Sequence, residues 1–270
     1  MRVTLRRSIP AIAMSLFTIG NLSSVTALTA VLAGLGMLTL TQTASAFIVG
    51  GGYKASLEAY SFDDISATGT GLLGNANNST SGNLNLGFAF NFFGVDYNQF
   101  RISSNGFLAL GIQPASPPSN DARSLNLDLN NLNSSNAPIG PIIASFWDNL
   151  TFNGNGRDRA YYEVKQDNQG KKRLIVQWNK AGIPGTPGVA GDDRTITFQT
   201  VLFENSNDIL LSYKDTFVSP GNASNNGSSA TVGISDGSIS GQRLQWSYNS
   251  AFSAYEPPQT GPTIRFRKYP

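Results

Sequence analysis

The chain has 270 residues, with 19 Lys+Arg against 17 Asp+Glu, and it contains neither His nor Cys. Those two absences exclude Ser-His-Asp and Cys-His catalysis, His-bearing zinc centres, thiolate ligands and disulfides, so stability has to come from packing. The basicity is local: residues 1–46 hold three Arg and no acid, which leaves 16 basic and 17 acidic residues in the other 224 and no electrostatic case for nucleic acid or an anionic membrane.

In chain order, residues 1–46 read as an export signal peptide. Arg2, Arg6 and Arg7 form a basic start, Val25 to Leu40 is apolar, and Ala44-Ser45-Ala46 is a small-residue cleavage site, which predicts a mature chain beginning at Phe47. Arg6-Arg7-Ser8-Ile9 matches a twin-arginine motif poorly, so the general secretory route is expected. The apolar run is shorter than the roughly 20 residues of a membrane span and is interrupted by Gly34 and Gly36, so no stable span is expected after cleavage. No apolar tail precedes Pro270, and release from the cell is the expected outcome.

From Phe47 onward, short strand-like runs alternate with loops rich in Gly, Asn, Ser and Pro, and no amphipathic helix of ten or more residues is visible. The predicted strands are Leu57–Ile65, Leu84–Phe92, Gln99–Ser104, Phe107–Gly111, Pro141–Phe146, Ala160–Gln166, Arg173–Asn179, Arg194–Glu204, Asp208–Lys214, Ala230–Ser235, Arg243–Tyr248 and Thr263–Arg267. About 10–12 strands suit an all-β, two-sheet antiparallel β-sandwich, with 47–270 as a single domain. Period-2 alternation places Phe88, Phe90 and Phe92 on one face, Trp178 with Leu174 and Val176 on another, and Phe198 in a similar row with Ile196 and Leu202. Core packing is favoured for these rings over an aromatic ligand platform. Asn105-Gly106 predicts a two-residue type I′ hairpin turn with positive φ at both positions.

Four residues invite a calcium reading. Asp148, Asn153, Asn155 and Asp158, with Asn149 beside them, supply hard oxygen ligands, but their spacing lacks the Glu of an EF-hand and equally describes an Asx-rich turn. No other cofactor is indicated. The adjacent carboxylates Asp63-Asp64 and Asp192-Asp193 would point to opposite faces of a strand, so neither pair flanks a glycosidic bond unaided. The 120–136 stretch, with Leu125, Leu127, Leu129 and Leu132, reads as a surface loop with one short edge strand or as disorder, and 219–229 as a loop with little to bury.

The residues LGFAFNFFGVDYNQFRISSNGFLALG (86–111), followed in order by PIIASFWDNL (141–150), RLIVQWNKAG (173–182), ITFQTVLFENSNDILLSYKD (196–215) and ATVGISDG (230–237), resemble the nidogen-like extracellular module. Ser145 stands where the family's APFWxD segment has Pro. The resemblance covers the chain from Phe47 onward and implies a secreted or envelope-associated β-sandwich of adhesion type, in which the aromatic strand positions define the fold and not a catalytic centre. Trp147 is expected to cap one end of the core and Asp148 to anchor the next loop. The expected partner is an extracellular glycan or surface protein. Two other classes stay open: a carbohydrate-binding module, which needs exposed coplanar rings, and a histidine-independent hydrolase such as a glycoside hydrolase, which needs two facing carboxylates in a cleft.

Overall fold

The alternating runs pair into two stacked antiparallel sheets. The computed structural model describes residues 47–111, 125–133, 140–184, 195–218, 222–251 and 262–269. Fourteen strands occur among them: β1 (Phe47–Gly50), β2 (Tyr53–Glu58), β3 (Thr70–Leu72), β4 (Leu84–Phe92), β5 (Val95–Ile102), β6 (Phe107–Leu110), β7 (Ile142–Trp147), β8 (Arg159–Gln166), β9 (Lys172–Gly182), β10 (Thr195–Phe203), β11 (Ile209–Asp215), β12 (Thr231–Ser235), β13 (Arg243–Tyr248) and β14 (Thr263–Lys268). The larger sheet runs β1-β2-β14-β11-β10-β9-β8-β3 and the smaller β13-β12-β7-β6-β5-β4. The described residues therefore form an all-β sandwich.

The inner faces follow the period-2 pattern. Leu86, Phe88, Phe90 and Phe92 of β4, Leu174, Val176 and Trp178 of β9, and Ile209, Leu211 and Tyr213 of β11 all enter one core. A column of rings joins the sheets within it. Trp178 stacks on Phe198 at 4.9 Å between centroids, and Phe198 stacks on Phe146 of the opposite sheet at 5.3 Å. The polar ends of these rings are satisfied across the same gap: Trp178 Nε1 donates to Ser103 O at 2.8 Å, and Tyr213 Oη donates to Ser145 O at 2.5 Å.

Several boundaries differ from the sequence reading. β1 and β3 are only four and three residues long, too short to show a period. The run Leu57–Ile65 is not one strand: β2 ends at Glu58, and the chain then leaves the sheet and crosses its outer face to reach β3 at the opposite edge. Within 125–133 there is a 3-10 turn at Leu129–Asn131, capped by the Asp128 side chain, and no edge strand. The described part of 219–229 is tied down as well, with Val218 N donating to Asn225 Oδ1 at 2.8 Å and Asn226 N to Thr216 O at 2.9 Å.

The free edge of β4 lies against the strand ends of the larger sheet. Asn91 N donates to Asn207 Oδ1 in the β10–β11 turn at 2.8 Å, Asn91 O accepts from Tyr53 Oη of β2 at 3.3 Å, and Gly87 O accepts from Lys172 Nζ of β9 at 2.9 Å. Groups that would otherwise template another chain are thus occupied.

Candidate functional site

The motif residues converge on the β5–β6 turn. The expected type I′ turn is not what forms: the turn spans Ser103–Gly106, Gly106 N donates to Ser103 O at 3.3 Å, and only Gly106 of the pair has positive φ, at 82°. This is the longer hairpin loop that ends in a left-handed residue. The turn is also not an exposed tip. Asn105 is fully buried; its carbonyl accepts from Asp148 N at 3.2 Å, its Oδ1 accepts from Leu150 N at 3.0 Å, and its Nδ2 donates to Asn78 Oδ1 at 2.9 Å.

Gly106 O accepts from both Ser145 N and Phe146 N, at 3.1 and 3.0 Å. Two residues of β7 thus face one acceptor, the arrangement of a β-bulge. It turns Ser145 and Phe146 toward the core and throws Trp147 to the outer face of the smaller sheet. Trp147 therefore does not cap the core: it packs with Phe107, ring centroids 5.1 Å apart, in a separate cluster with Leu129, Ile142 and Ala144. Ser145, where the family pattern has Pro, bonds Thr200 Oγ1 through its hydroxyl across the sandwich.

Of the calcium candidates, Asp148 is buried and both its oxygens are engaged, Oδ1 by Asn149 N at 2.7 Å and Oδ2 by Ser229 Oγ at 2.5 Å. Burial pushes its carboxyl above the ordinary carboxylate pKa, against the pull of those two hydrogen bonds. Asn153 and Asn155 are exposed, and Asp158 N donates to Asn155 O at 3.0 Å, closing a turn over Gly156 and Arg157. Among the described residues no three of Asp, Glu, His or Cys gather as metal ligands.

The Asp63-Asp64 pair serves the crossing segment 59–69. Asp63 bonds Lys165 Nζ and Arg173 Nη2, each at 2.7 Å, while Asp64 bonds Lys214 Nζ at 2.8 Å and Gln177 Nε2 at 3.0 Å. For Asp64, partial burial raises the pKa, but hydrogen bonds from Lys214, Gln177 and Ser66 win and hold the carboxyl well below the usual range. Neutral amides take the backbone: Gln199 Oε1 accepts from Asp63 N at 3.1 Å and buried Gln177 Oε1 from Ile65 N at 3.0 Å. Neither Asp is presented to a cleft as a free acid. Asp192-Asp193 lies outside the described residues.

A buried turn, a bulge and a Trp-to-backbone bond link the β5–β6 turn, β7 and β9 into one structural node. A family model described as NIDO related matches residues 52–268. The chain belongs to the NIDO-related family. Comparison with curated proteins and with solved structures gives no match. NIDO-related membership suggests an extracellular binding or structural module, and such domains are typically non-catalytic. Among the described residues no helix is long and apolar enough to cross a membrane.

Sequence reasoning missed Tyr213, although its two-residue spacing from Leu211 carried the signal. It also missed Gln177 and Gln199, whose partners lie more than 100 residues away and leave no local trace.

Proposed function

We propose that this NIDO-related protein is exported by the leader at 1–46 and acts, in the envelope or outside the cell, as a non-catalytic adhesion-type module. The observation that carries the reading is the use of its chemistry-bearing groups. Asp63, Asp64 and Asp148 are consumed by internal hydrogen bonds, and Trp147, Trp178 and Phe198 are buried. A glycoside hydrolase would keep two carboxylates free toward a cleft, and a sugar platform would keep its rings outside. Among the described residues, the exposed aromatic side chains Tyr60, Tyr248 and Tyr269 stand on three separate segments.

The test is binding of the purified mature chain to glycan and cell-surface protein arrays, with and without calcium, alongside turnover of the glycans it binds. The expected result is saturable binding without turnover and with the same affinity in chelator. Hydrolysis of a bound glycan that survives repurification would overturn the non-catalytic reading. N-terminal sequencing of exported protein should begin at Phe47; retention of Met1 would support a membrane anchor instead.

A further inference from the structure

Where β4 crosses the end of the larger sheet, a lysine, an asparagine and an aspartate meet in line. Lys268 Nζ, at the end of β14, bonds Asn91 Oδ1 of β4, and Asn91 Nδ2 donates to Asp96 Oδ1 at 2.5 Å. The backbone fixes all three: Asn91 is the register partner of Asp96 in the β4–β5 pair, and Lys268 is the partner of Tyr53 in β14–β2. Asn91 is clamped further by Asn207 Oδ1 at its N–H and Tyr53 Oη at its carbonyl. Lys268 N donates to buried Asp208 at 3.3 Å. Tyr53, whose hydroxyl holds the Asn91 carbonyl, also packs against Phe92 and Phe93, with centroids 6.0 and 5.3 Å away.

We propose that Lys268 and Asn91 are the reacting pair of an autocatalytic amide cross-link between the two sheets, with Asp96 as the residue that positions the Asn91 amide. In its neutral form the Lys268 amine attacks Asn91 Cγ; an Nζ–Cγ bond forms and the Cγ–Nδ2 bond breaks. Water takes the proton shed by Nζ and supplies one to the departing nitrogen, which Asp96 holds through Nδ2 until the bond breaks and which leaves as ammonia and is protonated in water. The balance is one ammonium and one carboxamide giving one secondary amide and one ammonium ion, with no oxidant or reductant. Amine and amide held together on fixed strands gain an effective concentration on the order of 10⁵–10⁸ M over free reactants. Because the bond forms once per molecule, a slow step suffices. The link would close a loop over a sequence separation of 177 residues in a chain without disulfides, where a cross-link restrains the unfolded state most. This holds whatever the module binds.

The experiment is intact-mass and peptide mass spectrometry on exported protein of sequenced N-terminus, aged at mildly alkaline pH. Wild type is expected to lose one ammonia mass, to yield a branched peptide joining Lys268 to Asn91, and to resist tryptic cleavage after Lys268. Lys268→Arg, which keeps the charge and the hydrogen bond, should retain full mass and melt lower by about 10 °C. Asp96→Asn should fold and cross-link slowly or not at all. Full mass in wild type reduces the trio to a hydrogen-bonded clip and overturns the proposal. So does ammonia loss that persists in Lys268→Arg, since a succinimide at an Asn-Gly pair such as Asn153-Gly154 would then be its source.

Discussion

The two outer faces of the sandwich are covered by opposite means. Over the larger sheet, segment 59–69 is held by Gln177, Gln199 and the ion pairs of Asp63 and Asp64, with one apolar plug, Ile65, set among Tyr161, Ile175, Val201 and Leu210. Over the smaller sheet, segment 125–133 is held mainly by Leu129 packed on Phe107, Ile142, Ala144 and Trp147. Polar side chains also pin it, since Leu129 N donates to Gln245 Oε1 at 2.7 Å and Leu129 O accepts from Arg243 Nη1 at 2.8 Å. A polar clamp fixes where a crossing segment sits, because each donor has one acceptor. An apolar cover contributes more free energy per residue, because exposed ion pairs give only about 0–1 kcal/mol each.

The largest expected effect strikes the ground on which the apolar cover stands. Gly106 holds φ 82°, and a Cβ there would collide with the Phe146 carbonyl oxygen. Gly106→Val should therefore fail to export or should melt far below wild type, by more than the roughly 1–3 kcal/mol of backbone strain alone, because the bulge that aims Trp147 is lost too. Thermal unfolding and export yield are the measurements. A variant as stable as wild type would mean that the turn does not dock on β7.

Next comes the cover itself. Trp147→Ala should cost about 3–5 kcal/mol in chemical denaturation and loosen 125–133, seen as faster amide exchange at Leu129. Loss below roughly 1 kcal/mol would place the ring at the surface. Trp178→Ala belongs to the same range but would leave exchange in 125–133 unchanged, which separates cover from core.

The sequence disclosed the core far better than the covers. Phe88, Phe90, Phe92, Trp178 and Phe198 were legible because strand period alone decides their side. Trp147 was not, because the two-to-one pairing of Ser145 and Phe146 with Gly106 reverses the parity that its position implies. Segment 59–65 imitates a strand in composition. Its Ile65 is buried only because four strands far along the chain form the floor beneath it, and such a partner leaves no mark within a local window.

On the polar side, Gln177→Ala should exceed any single charge deletion. Gln177 is fully buried, accepts from Ile65 N and donates to Asp64 Oδ1 and Asn179 Oδ1 at 3.0 and 3.2 Å, so its loss strands Ile65 N and Asn179 Oδ1, at about 2–3 kcal/mol, while Asp64 Oδ1 keeps Ser66 N. Asp63→Asn, with partners exposed by 27% and 40%, should cost at most about 1 kcal/mol and lose most of that in high salt. If the Gln177→Ala penalty also faded with salt, the clamp would be electrostatic after all.

The smallest effect distinguishes two carboxylates by sign. Asp64 has a folded pKa below its unfolded value, so its stabilisation is present above about pH 4 and is lost as pH falls through the lower, folded value. Asp148 has a raised folded pKa, so its favourable contribution is full below about pH 4 and is lost as pH rises through the raised value. Acidification from neutrality should therefore recover the Asp148 contribution first, while that of Asp64 persists. In urea titrations from about pH 8 down to about pH 4, wild type should gain stability relative to Asp148→Asn, a shape that no surface carboxylate produces. Asp64→Asn should run parallel to wild type over that window and diverge only below it. A constant offset between wild type and Asp148→Asn would mean that Ser229 and the Asn149 amide fully offset the burial of that carboxylate, leaving Asp148 indistinguishable from the solvated acids of the clamp.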